Sequence, residues 1–183
     1  VPNITSMNVQ DAVKVDIDYE AHVVTVYVSE TTDLRKVVIQ SVDFDIDFTT
    51  PSIDLLGVHD LTSPLKFQLS TYQDYVWTIT TKQPISRYFT VAGQVGASVI
   101  DDVNHRAVVY VSENQDITDI TITSLKLGAA DISTYSPAIE SIKDFTNGAE
   151  VTVTAHGRSQ TWTLYVEQTA SVVEMRSVNA WTA

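Results

Sequence analysis

The sequence predicts an all-β chain made of two tandem β-sandwich domains related by internal duplication. Three observations carry that expectation. The string VYVSE occurs at Val26–Glu30 and again at Val109–Glu113, 83 residues later. Short runs rich in β-branched residues follow one another along the whole chain, and no stretch holds a helical period. One tryptophan falls near the end of each repeat, Trp77 in WTI and Trp162 in WTLYVEQ.

The match between the two copies extends well beyond five letters. Asp18, His22, Ser29, Glu30, Asp33 and Ser41 recur as Asp101, His105, Ser112, Glu113, Asp116 and Ser124. The register then drifts by one or two residues, as loop insertions between preserved strands would cause. DLT at Asp60–Thr62 meets DFT at Asp144–Thr146, Trp77-Thr78 meets Trp162-Thr163, and Gln83 meets Gln168. A period of about 84 residues exceeds the 20–50 of solenoid repeats and suits one small sandwich per copy.

In the first copy the expected strands are VKVDID, VVTVYVS, VVIQSVDFDID, LKFQLS and YVWTITT. In the second they are ASVID, AVVYVS, ITITSLKL, AEVTVTA and WTLYVEQ. Side chains alternate along a strand, so Val24, Val26 and Val28 share one face, as do Ala107, Val109 and Val111; these are the expected core positions. Asn147-Gly148 and His156–Ser159 have turn chemistry, and Ser136–Phe145 is the best candidate for a helical turn. The boundary falls near Gln83–Arg87, giving domains 1–85 and 86–170. Residues 171–183 have no counterpart and are expected to be a linker or the start of a further C-terminal domain.

Composition narrows the function classes. The formal net charge is −12, from 23 acidic and 11 basic residues, with no basic stripe. Such a surface repels phosphate backbones, which argues against nucleic acid and anionic membranes as partners. There is no cysteine, so neither disulfides nor thiolate metal sites contribute. No apolar run approaches the roughly 20 residues of a membrane span.

Chemistry-bearing patterns are few. VDFDIDF at Val42–Phe48 would place Asp43, Asp45 and Asp47 on one strand face, a candidate calcium site. Same-face neighbours lie about 6–7 Å apart, so a solvated face that discourages edge pairing is the favoured reading. His22 and His105 each follow an aspartate at i−4; extended residues so spaced are about 13 Å apart, and recurrence in both copies favours a turn role. There is no nucleophile elbow, phosphate-binding loop or dinucleotide fingerprint, so no catalytic residue and no cofactor is assigned, and the chain is not expected to be an enzyme. Tyr72 and Tyr75, flanking a hairpin turn, and Tyr135 are the candidate carbohydrate platform, since tyrosine joins an apolar ring to a polar rim.

VYVSETTDLRKVVIQS and VYVSENQDITDITITS, read with the late tryptophan strands and the terminal VNAWTA, resemble a known arrangement. It is the tandem immunoglobulin-like N-terminal domains of Bacteroides-type surface lipoproteins, which precede a domain assigned to carbohydrate metabolism. The resemblance implies immunoglobulin-like sandwiches, export to the cell surface (outer membrane) or periplasm, and a membrane attachment only through a lipid anchor upstream. It supplies no catalytic residues. The function it implies is a non-catalytic spacer and interaction module associated with glycan handling, with polysaccharide or a C-terminal carbohydrate-related domain as partner. The alternative is a carbohydrate-binding module using loop tyrosines or the interdomain groove; a glycoside hydrolase is the least favoured.

Overall fold

The computed structural model describes residues 1–170 and contains strands, turns and two short 3-10 turns, with no α-helix among them. The expected linker at 171–183 lies outside the described residues. The chain divides into two compact units, Val1–Pro84 and Ile85–Ala183.

The first unit has two sheets. One is three-stranded, in the order β1 (Ile4–Val9), β4 (Val37–Phe44), β6 (Gly57–His59). The other is five-stranded, in the order β2 (Ala12–Asp18), β3 (Val23–Val28), β8 (Asp74–Lys82), β7 (Leu65–Ser70), β5 (Thr50–Pro51). Within it β3 and β8 run parallel while their other neighbours are antiparallel. Both sheets turn apolar side chains onto one core: Ile4 and Ile39 from the smaller, Val24, Val26, Leu69, Trp77 and Ile79 from the larger, all essentially without solvent exposure. Burying each aliphatic side chain of this kind contributes roughly 1.5–3 kcal/mol.

In the second unit β9 (Tyr88–Val91) pairs with β12 (Ile122–Lys126). A five-stranded sheet follows the order β10 (Val99–Asp101), β11 (Arg106–Ser112), β15 (Arg158–Thr169), β14 (Ala149–Ala155), β13 (Thr134–Ser136). Strand for strand this is the order of the first unit's larger sheet. The parallel pair recurs in the same register: Val24 faces Ile79 in one unit, and Ala107 faces Leu164 in the other. The core is again built from both sheets, with Phe89, Val109, Val111, Trp162 and Leu164 fully or nearly fully buried. Among the described residues β6 has no counterpart strand in the second unit.

The recurring D-x-x-x-H segments are hairpin turns. Asp18 Oδ1 accepts the N–H groups of Glu20 and Ala21, and Asp101 Oδ1 those of Val103 and Asn104. The histidine closing each turn has a left-handed backbone, φ 56° at His22 and 54° at His105. Its carbonyl accepts the N–H of Thr78 or Thr163, at 3.0 Å in each unit. The imidazole then lies on the buried tryptophan, stacked on Trp77 at 4.9 Å and tilted over Trp162 at 5.4 Å. Aspartate and histidine therefore serve opposite sides of the turn, one holding backbone and one packing.

The segment expected to be helical is Pro137 after a cis bond and a 3-10 turn, Ile139–Ser141. No helix among the described residues is long and apolar enough to cross a membrane.

Candidate functional site

The acidic triplet does not form a shared face. β4 ends at Phe44, and residues 45–48 bend away, closed by the Thr49 N–H on the Ile46 carbonyl at 3.1 Å. Asp43 accepts a hydrogen bond from the Ser6 hydroxyl at 2.6 Å. Asp45 accepts from the Asn3 backbone N–H at 2.7 Å and side-chain amide at 3.0 Å, and the first of these bonds holds its pKa below the ordinary carboxylate value. Hydrophobic alternation persists through Ile46 and Phe48 and predicts a longer strand. The strand stops because Asn3 satisfies Asp45 and the chain turns. Among the described residues no group of three or more His, Cys, Asp or Glu side chains is placed to hold a metal ion.

The three candidate tyrosines occupy three different environments. Tyr135 stands on β13 of the second unit, half-buried against that core, where its hydroxyl accepts the Leu127 N–H at 2.9 Å. Tyr75, on β8, packs against the first core, with its hydroxyl donating to Gln73 Oε1 at 3.3 Å. It takes the place of Gln160, whose Oε1 accepts the Trp162 indole N–H at 2.8 Å; the Trp77 indole nitrogen is correspondingly buried without a partner. Tyr72 alone is solvent-facing, 93% exposed in the turn between β7 and β8.

Tyr72 meets a second ring that no sequence motif marks. Phe48, in the β4–β5 connection and 55% exposed, lies 5.4 Å from it, centroid to centroid, with the planes inclined by 59°. The hairpin that carries Tyr72 is pinned at its base by the Ser70 hydroxyl on Asp74 and across the turn by the Thr71 N–H on the Gln73 carbonyl. The only advance signal for Phe48 is a large aromatic between two polar runs, IDFTTPS, where a buried strand would have ended. A groove of about 340 Å³ is lined by Val42, Phe44, Pro51 and Leu56 with Gln40 and Asp54, and neither Phe48 nor Tyr72 lines it.

A general acid for glycoside cleavage needs a carboxyl whose pKa is raised. Among the described residues Asp45, Asp101, Asp116 and Asp144 are shifted the other way. Asp101 is lowered by the Asn104 side chain, and Asp116 and Asp144 by the hydroxyls of Thr118 and Thr146.

Among the curated proteins none matches the chain. Residues 85–166 match the family model described as SGBP, N-terminal, the N-terminal domain of surface glycan-binding proteins. The match falls within the second unit and leaves the first outside it.

Proposed function

We propose that the chain is a non-catalytic module of an exported surface glycan-binding protein, built from two immunoglobulin-like sandwiches of common origin that space or present a glycan-binding partner domain. The observation that carries this reading is the family match on residues 85–166, joined to the strand order and register that the first unit shares with that segment. Common ancestry extends the family's character to residues 1–84. The recurring residues serve turns and cores in both copies: His22 and His105 lie on buried tryptophans, and Gln83 and Gln168 each donate to carbonyls of the loop after the matching strand, those of Ser29 and Thr32 or that of Gln115. Their repeated use in turns and cores supports a structural role for them. The partner is polysaccharide, or the carbohydrate-related domain that the module would carry.

Two measurements test this. Protease shaving of intact cells of the source organism is expected to release peptides from both units, and full protection would overturn the surface assignment. Incubation with neutral plant and host polysaccharides is expected to liberate no reducing ends. Release that tracks the protein through purification would overturn the non-catalytic assignment.

A further inference from the structure

We propose that the Phe48–Tyr72 corner of the first unit is a docking site for a pyranose ring of a neutral glycan, so that the module contacts sugar itself as well as presenting another domain. The choice of ligand class rests on the reading above; the location does not.

Four observations point to this corner. First, two aromatic rings meet at the surface, Tyr72 93% and Phe48 55% exposed with centroids 5.4 Å apart, so together they offer a contiguous ring surface that the core does not use. Second, the hairpin does not require Tyr72. The turn at the same place in the second unit is His156-Gly157, between β14 and β15, and carries neither tyrosine nor phenylalanine. Third, hydrogen-bonding groups on Tyr72 and on the chain neighbours of the two rings face solvent. The Tyr72 hydroxyl, the Gln73 amide NH2 and the Asp47 carboxylate have no hydrogen-bond partner among the described residues, while Gln73 Oε1 is fixed by Tyr75. Fourth, the turn is pinned at both its base and its tip, so the ring is presented by an ordered hairpin.

A pyranose matches that combination. Its axial C–H face covers an aromatic ring, and its equatorial hydroxyls reach donors and acceptors at the edge. A protein partner fits less well, because two rings fall far short of the roughly 800 Å² per side of a standard interface. The net charge of −12 selects against uronic-acid and sulfated glycans, leaving neutral ones.

The test is an amide-resolved NMR titration of the full chain with cellohexaose, maltohexaose, xylohexaose, mannohexaose and the anionic tetragalacturonate, each to about 10 mM, the weak regime of a single platform. At least one neutral oligosaccharide is expected to give saturable shifts confined to residues 46–49 and 71–74. Tyr72→Ala and Phe48→Ala should each weaken that binding at least tenfold. Tyr19→Ala, at another exposed tyrosine in the β2–β3 turn, should leave it unchanged. The Tyr72 ring is almost wholly in solvent, so Tyr72→Ala should melt as the wild type does. The proposal is overturned by silence with all four neutral sugars, shifts elsewhere or with tetragalacturonate alone, or undiminished binding in a natively folded Tyr72→Ala. Shifts that depend on protein concentration without sugar would mean self-association and also overturn it. Surface shaving and reducing-end release are unaffected by any of these outcomes, so the two readings fail separately.

Discussion

Single residues set the local geometry of this fold where a side chain would not fit. Gly148, in the turn before β14, has φ +78°, and a Cβ there would lie 2.9 Å from Tyr165 Cε1 and 3.3 Å from the Leu164 carbonyl oxygen. Gly96 has nearly the same backbone, φ +75°, but open space around it. Left-handed backbone costs a non-glycine residue about 1–3 kcal/mol, so both alanine variants lose stability, and the crowded site loses more. In urea unfolding, Gly148→Ala is expected to fall below Gly96→Ala by about 1 kcal/mol or more, the usual size of an overpacking term. Equal losses would mean that Tyr165 swings aside freely. Sequence alone marks Asn147-Gly148 as a turn, because the dipeptide favours left-handed backbone. It cannot show that Tyr165 sits over the glycine, a contact set by strand register. Phe48 was hidden for a related reason: its partner, Tyr72, is brought to it by folding and not by spacing.

At the scale of elements, the strands were legible where alternation is strict and obscure where an acid ends a strand. Val24, Val26 and Val28 could be assigned to the core because period two admits no other shared face, and all three are buried. The end of β4 could not be seen, since Asp45 is satisfied by Asn3, 42 residues away. The short connections follow a different rule, aspartate followed two residues on by threonine. Asp116 Oδ1 accepts from the Thr118 N–H at 2.9 Å and hydroxyl at 2.6 Å; Asp144 does the same with Thr146 at 3.0 and 2.6 Å. These bonds favour the charged carboxylate and lower both pKa values in the folded chain. A depressed folded pKa adds stability that is present above the unfolded value, about 3.9, and lost as pH falls through the folded one. Stability is therefore expected to hold from neutral pH to about 5, then to decline below about 4. Asp116→Asn with Asp144→Asn keeps an acceptor oxygen at each turn, so this double variant should fold and show a shallower acid decline. Denaturant titrations at pH 7, 4 and 3 give the comparison, and an unchanged decline would remove these turns from the acid response.

For the whole molecule, the repeated spelling of VYVSE has a physical counterpart in two separate cores. Among the described residues, fourteen buried hydrophobic ones form one cluster in the first unit, and fourteen form another in the second. Each cluster draws on both sheets of its own unit, and the chain has no cysteine with which to staple an incomplete core. Domains of 55–65 residues often fold alone, while those below about 40 usually need a disulfide, a metal or a partner chain; each unit here exceeds both sizes. Residues 1–84 and 85–170, produced as separate fragments, are thus expected to unfold cooperatively. Trp77 is the sole tryptophan of the first fragment and Trp162 of the second, and both are fully buried, so fluorescence reports each core without interference. Each fragment should show a two-state urea transition with a red shift of its tryptophan emission, and the slope m should match the surface exposed by a domain of its size. The first fragment carries the greater risk, because its tryptophan N–H is buried without a partner where the second has Gln160. A non-cooperative transition in either fragment would show that the two cores depend on one another, and would overturn the proposal of a duplicated, self-sufficient sandwich.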